Sequence, residues 1–303
     1  MRNRQTCILG LYLLTALLSF SQNEAQAEEG KGSATFIYGD RQVTVAGLKR
    51  AWGFTPLIKY DDKTILFNTG GKEEILKHNF QVLGVKPKDL DAVVISHQHW
   101  EMYKAIGFII KENPKIPIYT TEVVIELLTQ KNPAWVANLH NVSISEVFTP
   151  NIYFQNLRSG RKRGGPRGID EVHIVLKTAR GLVIFQGCGH PQILNIVNRS
   201  KALTGVDRVH LVAGGTRLVR PNTRIHIEDS GEDLTPPQMH YYSDEYYEQL
   251  MTDLKAAGVE YVMPTHCTQE PAESVFRKSF GDKYIRQTLG MTLNFPIDRP
   301  KSL

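Results

Sequence analysis

Short apolar runs recur along the chain, and each breaks off at a glycine, a polar turn or a histidine. Residues 34–38, 42–45, 55–60 and 64–67 read as strands, the last two joined through Asp61-Asp62-Lys63 as a hairpin. Residues 72–83 carry apolar side chains at helical spacing (Ile75, Leu76, Phe80, Leu83) and stop at Gly84, which predicts a helix. A wholly apolar strand over 92–95 follows, then a helix over 103–112 that Asn113-Pro114 ends. A strand over 116–119, a helix over 122–130 and short strands through 153–154 come next. The second half reads as a strand pair (171–176, 182–185), a helix (192–200), a strand (209–213), a helix (245–257), a strand (259–263) and a helix (271–280). Strands alternate with helices throughout 28–303, which predicts one α/β domain.

The start of the chain has a different pattern. Arg2 and Arg4 precede an apolar stretch over residues 7–18, and a polar segment ends in Ala25-Gln26-Ala27. That layout is a signal peptide over 1–27 with cleavage after Ala27, too short in its apolar part for a membrane span. The expectation is export to the periplasm or the exterior, with no membrane span after cleavage. Cys7 lies at the front of the apolar stretch, so a lipid anchor is not expected. Composition is ordinary for a globular protein, at 41% hydrophobic and 22% charged residues, with a formal charge of +5. A mildly basic chain suits a small anionic substrate, whereas modest charge and export argue against nucleic acid as partner. Oligomeric state is not legible. The basic segment 158–168 reads either as a solvated loop or as an anion-gathering rim.

The candidate chemistry lies at the ends of strands. His97 and His99 follow the 92–95 run one residue apart, and an extended segment turns both to one side. His190 follows the 182–185 strand in Gly187-Cys188-Gly189-His190, and His266 follows the 259–263 strand in Pro264-Thr265-His266-Cys267. Imidazoles delivered by loops at one sheet edge are a common way for α/β proteins to build a metal site. Cys188 and Cys267, the cysteines left after cleavage, adjoin these histidines, so site chemistry and a disulfide both stay open. His78, His140, His173, His210, His226 and His240 lack the pattern and are assigned to surface or core, with His240 kept as a possible substrate contact.

Four stretches in order, Phe67-Asn68-Thr69-Gly70, Ser96-His97-Gln98-His99-Trp100-Glu101-Met102, Gly187-Cys188-Gly189-His190 and Pro264-Thr265-His266-Cys267, resemble the metallo-β-lactamase superfamily. With Trp52-Gly53-Phe54, they look like its dihydropterin–ribofuranosylaminobenzene-phosphate synthase branch. The resemblance implies a four-layer αββα sandwich with a metal site at one sheet edge. It implies a first metal position at His97, His99 and His190, and a second around His266 with Cys188 in the bridging place. The pattern His-x-His-x-Asp-His is altered here to Glu101 and Met102, the Asp-Thr-Gly turn to Asn68-Thr69-Gly70, and Gly-Gly-Phe-His-Leu to Gly214-Gly215-Thr216-Arg217-Leu218. A thioether is a poor ligand for zinc or manganese, so one ion is expected: zinc first, with manganese or iron as alternatives.

The resulting expectation is an exported metal-dependent hydrolase of a small ester, lactone, amide or phosphoester. Glu101 would serve as general base or as orienter of a histidine, unless its position has simply drifted. Arg217 would clamp an anionic substrate group or stand electrostatically in the second metal's place. The alternative is a non-catalytic ligand- or metal-binding protein that kept the fold. Pterin synthesis itself is not expected of an exported chain with an altered site.

Overall fold

The computed structural model describes residues 31–160, 168–218, 225–227, 232–234 and 242–297. The predicted signal peptide, most of the basic segment 158–168, and His240 lie outside the described residues.

The first six strands are β1 (Gly32–Gly39), β2 (Phe54–Tyr60), β3 (Lys63–Phe67), β4 (Ala92–Val94), β5 (Ile118–Thr120) and β6 (Leu139–Asn141). They stand side by side in that order. Five more follow: β7 (Ser145–Thr149), β8 (Ile152–Arg158), β9 (Asp170–Thr178), β10 (Gly181–Gln186) and β11 (Val209–Gly214). After a ribbon of β12 (Ile225–Ile227) and β13 (Glu232–Leu234), β14 (Val259–Pro264) joins β11 and β15 (Thr292–Phe295) returns beside β1. The result is a seven-stranded sheet, β15-β1-β2-β3-β4-β5-β6, and a six-stranded one, β14-β11-β10-β9-β8-β7.

Alternation along the strands explains why the sheets face each other. Phe54, Ile58, Ile65, Phe67 and Val94 of the first sheet bury against Val172, Ile174, Leu176, Val183, Phe185, Leu211 and Ala213 of the second. The opposite faces are apolar too, which is the signature of strands covered on both sides. Leu57, Leu66 and Val93 pack under the helices α1 (Glu73–Val82), α2 (Trp100–Tyr103), α3 (Ile106–Glu112) and α4 (Glu122–Lys131). Val175, Leu182, Ile184, Val209, Val212 and Val262 pack under α5 (Ile193–Thr204), α6 (Asp244–Ala256) and α7 (Glu270–Phe280). The architecture is therefore an αββα sandwich in four layers. Among the described residues no helix is long and apolar enough to cross a membrane.

Two elements depart from the sequence reading. Residues 42–45 contribute only an isolated bridge from Val43 to Leu289, because the pairing segment turns away to bond Gly290 N–H to Phe36 O in β1. The helix expected over 103–112 begins only at Ile106, as α3, after a separate helical turn, α2; at the break Thr69 N–H donates to Met102 O (2.8 Å) and Ala105 N–H to Gly70 O (3.1 Å). The backbone at that break serves the 68–70 turn instead of continuing the helix.

In both sheets the strands that carry the motifs run parallel: β3, β4, β5 and β6 in one, and β10, β11 and β14 in the other. Their C-terminal ends deliver residues 68–70, 96–99, 187–190, 215–217 and 265–267 to one edge of the sandwich.

Candidate metal centre

Ser96 joins the two sheets at this edge. Its N–H donates to Asn68 Oδ1 (2.9 Å) and its carbonyl accepts from Val172 N–H in β9 (2.8 Å). Asn68 is buried in left-handed backbone (φ 60°), which Asn tolerates better than most residues, and its Nδ2 donates to Phe54 O (3.1 Å). A carboxylate at this position would lack that donor. Ser96 Oγ lies 2.9 Å from His97 Nδ1, and Gly187 makes room for the pair: a Cβ there would sit 2.4 Å from that hydroxyl. With Nδ1–H given to Ser96, the lone pair of His97 is on Nε2, a buried atom with no hydrogen-bond partner among the described residues.

Three imidazoles meet at this point. The rings of His97, His99 and His190 form a triangle with centroids 4.5, 4.6 and 4.8 Å apart, each pair edge to face. His97 and His190 are buried, and His99 is about one-third exposed, so the triangle opens to solvent on the His99 side. That buried acceptor atom and three converging imidazoles fit the divalent ion that the resemblance implies.

Behind the triangle is a residue the sequence reading missed. Glu171, at the start of β9, is fully buried and accepts from the backbone N–H groups of Gly187, Gly189 and His190 (3.0 Å each). It also takes His190 Nδ1–H at 2.7 Å, which fixes that ring's tautomer and aims Nε2 forward. Burial pushes the Glu171 carboxyl up, but His97, His173 and the backbone donors outweigh it and hold the group below its ordinary value. His173, two residues on and on the same face of β9, lies 3.6 Å from Glu171 with both ring nitrogens buried and no hydrogen-bond partner among the described residues. Burial drives its pKa from 6.5 down to about 4. The assignment of His173 to surface or core holds as to burial, yet the ring forms part of the site's back wall. A sequence signal existed: two polar residues at i and i+2 open a strand that is otherwise apolar.

The other half of the edge is lined with sulfur. Cys188 Sγ lies 3.3 Å from Cys267 Sγ, 3.5 Å from His266 Nε2, 3.8 Å from Glu101 Oε1 and 3.9 Å from His99 Nδ1. Both cysteines are free thiols in contact, so the disulfide alternative is not the state seen. His266 is held by Trp52 edge-on (5.5 Å) and by Phe54 stacked at 6.4 Å. Met102, in the place of the family's last histidine, is fully buried in the helix-side core with Trp52, Cys188 and Cys267. Cys267 was absent from the ligand set expected from sequence, although its position beside His266 was the clue.

Electrostatics separate the two halves. Burial, then the charges of His99 and His190, hold His97 well below its ordinary value, and Arg217 adds to this; a neutral imidazole is the ligand form. Burial opposes ionisation of Glu101, but His99, 3.7 Å away, and the charge of His266 keep the carboxylate below the usual range. The Cys188 thiol is pushed up by burial, while the hydrogen bond shared with Cys188 holds Cys267 down. Arg217 sits in left-handed backbone (φ 50°), half-buried, with its charge bearing on His97. Thus the structure brings together every candidate ligand read from sequence (His97, His99, His190, His266, Cys188) with Glu101 and Arg217.

A metal-dependent hydrolase of the β-lactamase superfamily superposes with a TM-score of 0.65 at 21% identity, covering 86% of this chain and 98% of the other. The chain has the metallo-β-lactamase fold. A metallo-β-lactamase fold protein from Bacillus subtilis (TM-score 0.55, 14% identity, 86% and 98% covered) and a diphosphatase of the PhnP family (0.53, 14%, 88% and 97%) share it. In sequence, the chain is 24% identical over 271 residues to 7,8-dihydropterin-6-methyl-4-(β-D-ribofuranosyl)-aminobenzene-5'-phosphate synthase of Methanocaldococcus jannaschii, covering 77% of this chain and 85% of that protein. No family model matches the chain. Within the metallo-β-lactamase fold, then, candidate metal ligands occupy the sheet edge, and Glu101, Cys267 and Glu171 are part of their surroundings.

Proposed function

We propose that the mature chain is an exported, metal-dependent hydrolase of a small anionic ester, lactone, amide or phosphoester. The observation that carries this reading is the triangle of His97, His99 and His190, open on one side and braced from behind by Glu171. Three converging imidazoles suit zinc first, and such an ion, when bound, supplies water activated near neutral pH and polarises a carbonyl or phosphoryl oxygen. The chain's own residues do the rest. Glu171 fixes the tautomer of His190 and Ser96 that of His97, while Glu101 lies 3.7 Å from His99 Nδ1, within ion-pair reach of the third ring. Arg217, a fixed cation whose charge reaches His97, would anchor a carboxylate or phosphate. The phosphate in the archaeal relative's name and the diphosphatase among the fold neighbours support an anionic substrate. Export rests on the signal-peptide layout of residues 1–27.

The test is metal content and turnover together, on protein exported by its own signal and purified without chelators, against a panel of esters, lactones, amides and phosphoesters. The expectation is bound metal and turnover of at least one class, with turnover and the ion of the imidazole triangle lost in His97→Ala. Metal bound tightly with no turnover across the panel would leave the binding-protein reading in its place.

A further inference from the structure

The substitution of Met102 for a histidine predicts a second metal position without enough ligands, yet the donors around His266 are numerous. Glu101 from α2, Cys188 from the loop after β10, and His266 with Cys267 from the loop after β14 place four donor atoms within 4.8 Å of one another, all buried. Cys188 Sγ is 3.3, 3.5 and 3.8 Å from the other three. A tetrahedral ion with metal–sulfur bonds of about 2.3 Å holds its ligands about 3.5–3.8 Å apart. The three distances from Cys188 therefore already approximate the edges of such a tetrahedron.

The backbone is arranged to permit this approach. Gly215, after β11, lies between the two cysteine loops, and a Cβ there would come within 2.9 Å of Cys267 Cβ and 3.1 Å of Cys188 Cα. Buried cysteines usually act as small apolar side chains among apolar neighbours. Cys188 instead turns its sulfur towards an imidazole, a carboxylate and the sulfur of Cys267, a grouping costly to bury without a cation.

We propose that Glu101, Cys188, His266 and Cys267 form a second, thiolate-rich metal position for a thiophilic divalent cation such as zinc or cobalt(II), in preference to manganese or magnesium. Cys188, which also groups with His97 and His99, is the ligand common to both positions. Met102 on this account is the apolar wall of the new position, and the lost histidine is replaced by Cys267. Only the bridging role of Cys188 rests on the three-imidazole reading above.

The test is cobalt(II) titration of metal-free full-length protein, followed by thiolate-to-cobalt charge-transfer absorption in the near ultraviolet and by ions bound per chain. Two ions and a charge-transfer band are expected. Cys267→Ser should lower the band by roughly half and weaken one ion by about 10–100-fold or more, the scale on which even supporting residues act. His97→Ala should remove the other ion and leave the band. One ion, no band, and complete loss in His97→Ala would overturn the thiolate position while sparing the hydrolase reading. A band untouched by Cys267→Ser would exclude Cys267 as a ligand. One ion with a band indifferent to His97→Ala would support this position and count against the three-imidazole one.

Discussion

The two halves of the edge are supported in different ways. The imidazole half stands on polar scaffolding: Glu171 gathers three backbone N–H groups and a ring N–H, and Ser96 bonds Asn68, His97 and Val172 at once. The thiol half stands on apolar packing, with Met102, Trp52, Cys188 and Cys267 in a single buried cluster. Hydrogen bonds to a buried carboxylate fix identity and tautomer, because a changed partner leaves a charge or donor stranded. Apolar support fixes only volume. The departures at Glu101 and Met102 fall on the side where apolar packing carries more of the support, although Thr265 Oγ1 still lies 3.3 Å from His266 Nδ1.

The largest effect that would break this comparison comes from removing one ring on each side. His190→Ala takes a ligand and strands Glu171 without its ring donor, so loss of the imidazole-half ion should exceed the roughly 100-fold attached to a supporting residue. His266→Ala should leave that ion in place. Chelator competition on the two variants measures both, and equal losses would mean that the halves are one cooperative unit.

Next in size is the pH response of the metal-free protein. The folded pKa of His173, about 4, lies below the 6.5 of an unfolded histidine, and His97 is displaced in the same direction. Between those values the unfolded chain binds more protons, so stability is present above pH 6.5 and drains away as pH falls towards 4. For His173 the loss is on the order of 3 kcal/mol. Urea unfolding across that window should show it, and His173→Leu should flatten the slope. An unchanged slope would place the acid sensitivity elsewhere.

Glu171→Gln comes below that. An amide offers one acceptor oxygen to donors that now share two, and turns its own N–H groups towards N–H groups. Metal affinity of the imidazole half should fall about 10–100-fold, with the cobalt–thiolate band unaltered. Loss of both signals would show that Glu171 holds up the whole edge.

What was legible from sequence follows the same division. The histidines could be read because each ends an apolar strand, and parallel strands in one sandwich must deliver their ends to a common edge. The layers could be read because strands apolar on both faces need covering on both faces. Glu171 left only a faint trace, as one of two polar residues at i and i+2 in an apolar strand, since its importance lies in three N–H groups of a loop on another strand's end. Cys267 was visible beside His266, but its meeting with Cys188 depends on Gly215, which marks no contact until the loops are in place.

The smallest predicted effect concerns Asn68. Restoring the superfamily's acid, Asn68→Asp, keeps an acceptor for Ser96 N–H and loses the donor to Phe54 O, facing a carboxylate oxygen towards a carbonyl in a buried turn. A cost of about 1–2 kcal/mol is expected from the unmet carbonyl and the unfavourable contact, read as a lower urea midpoint at unchanged slope. Metal affinity should hardly move, because the Ser96 N–H bond that positions His97 survives. If the variant were instead more stable and bound metal more tightly, Asn68 would be a drifted residue and not part of the scaffold. The comparison would then lose its premise, since polar support would have proved as permissive as apolar packing.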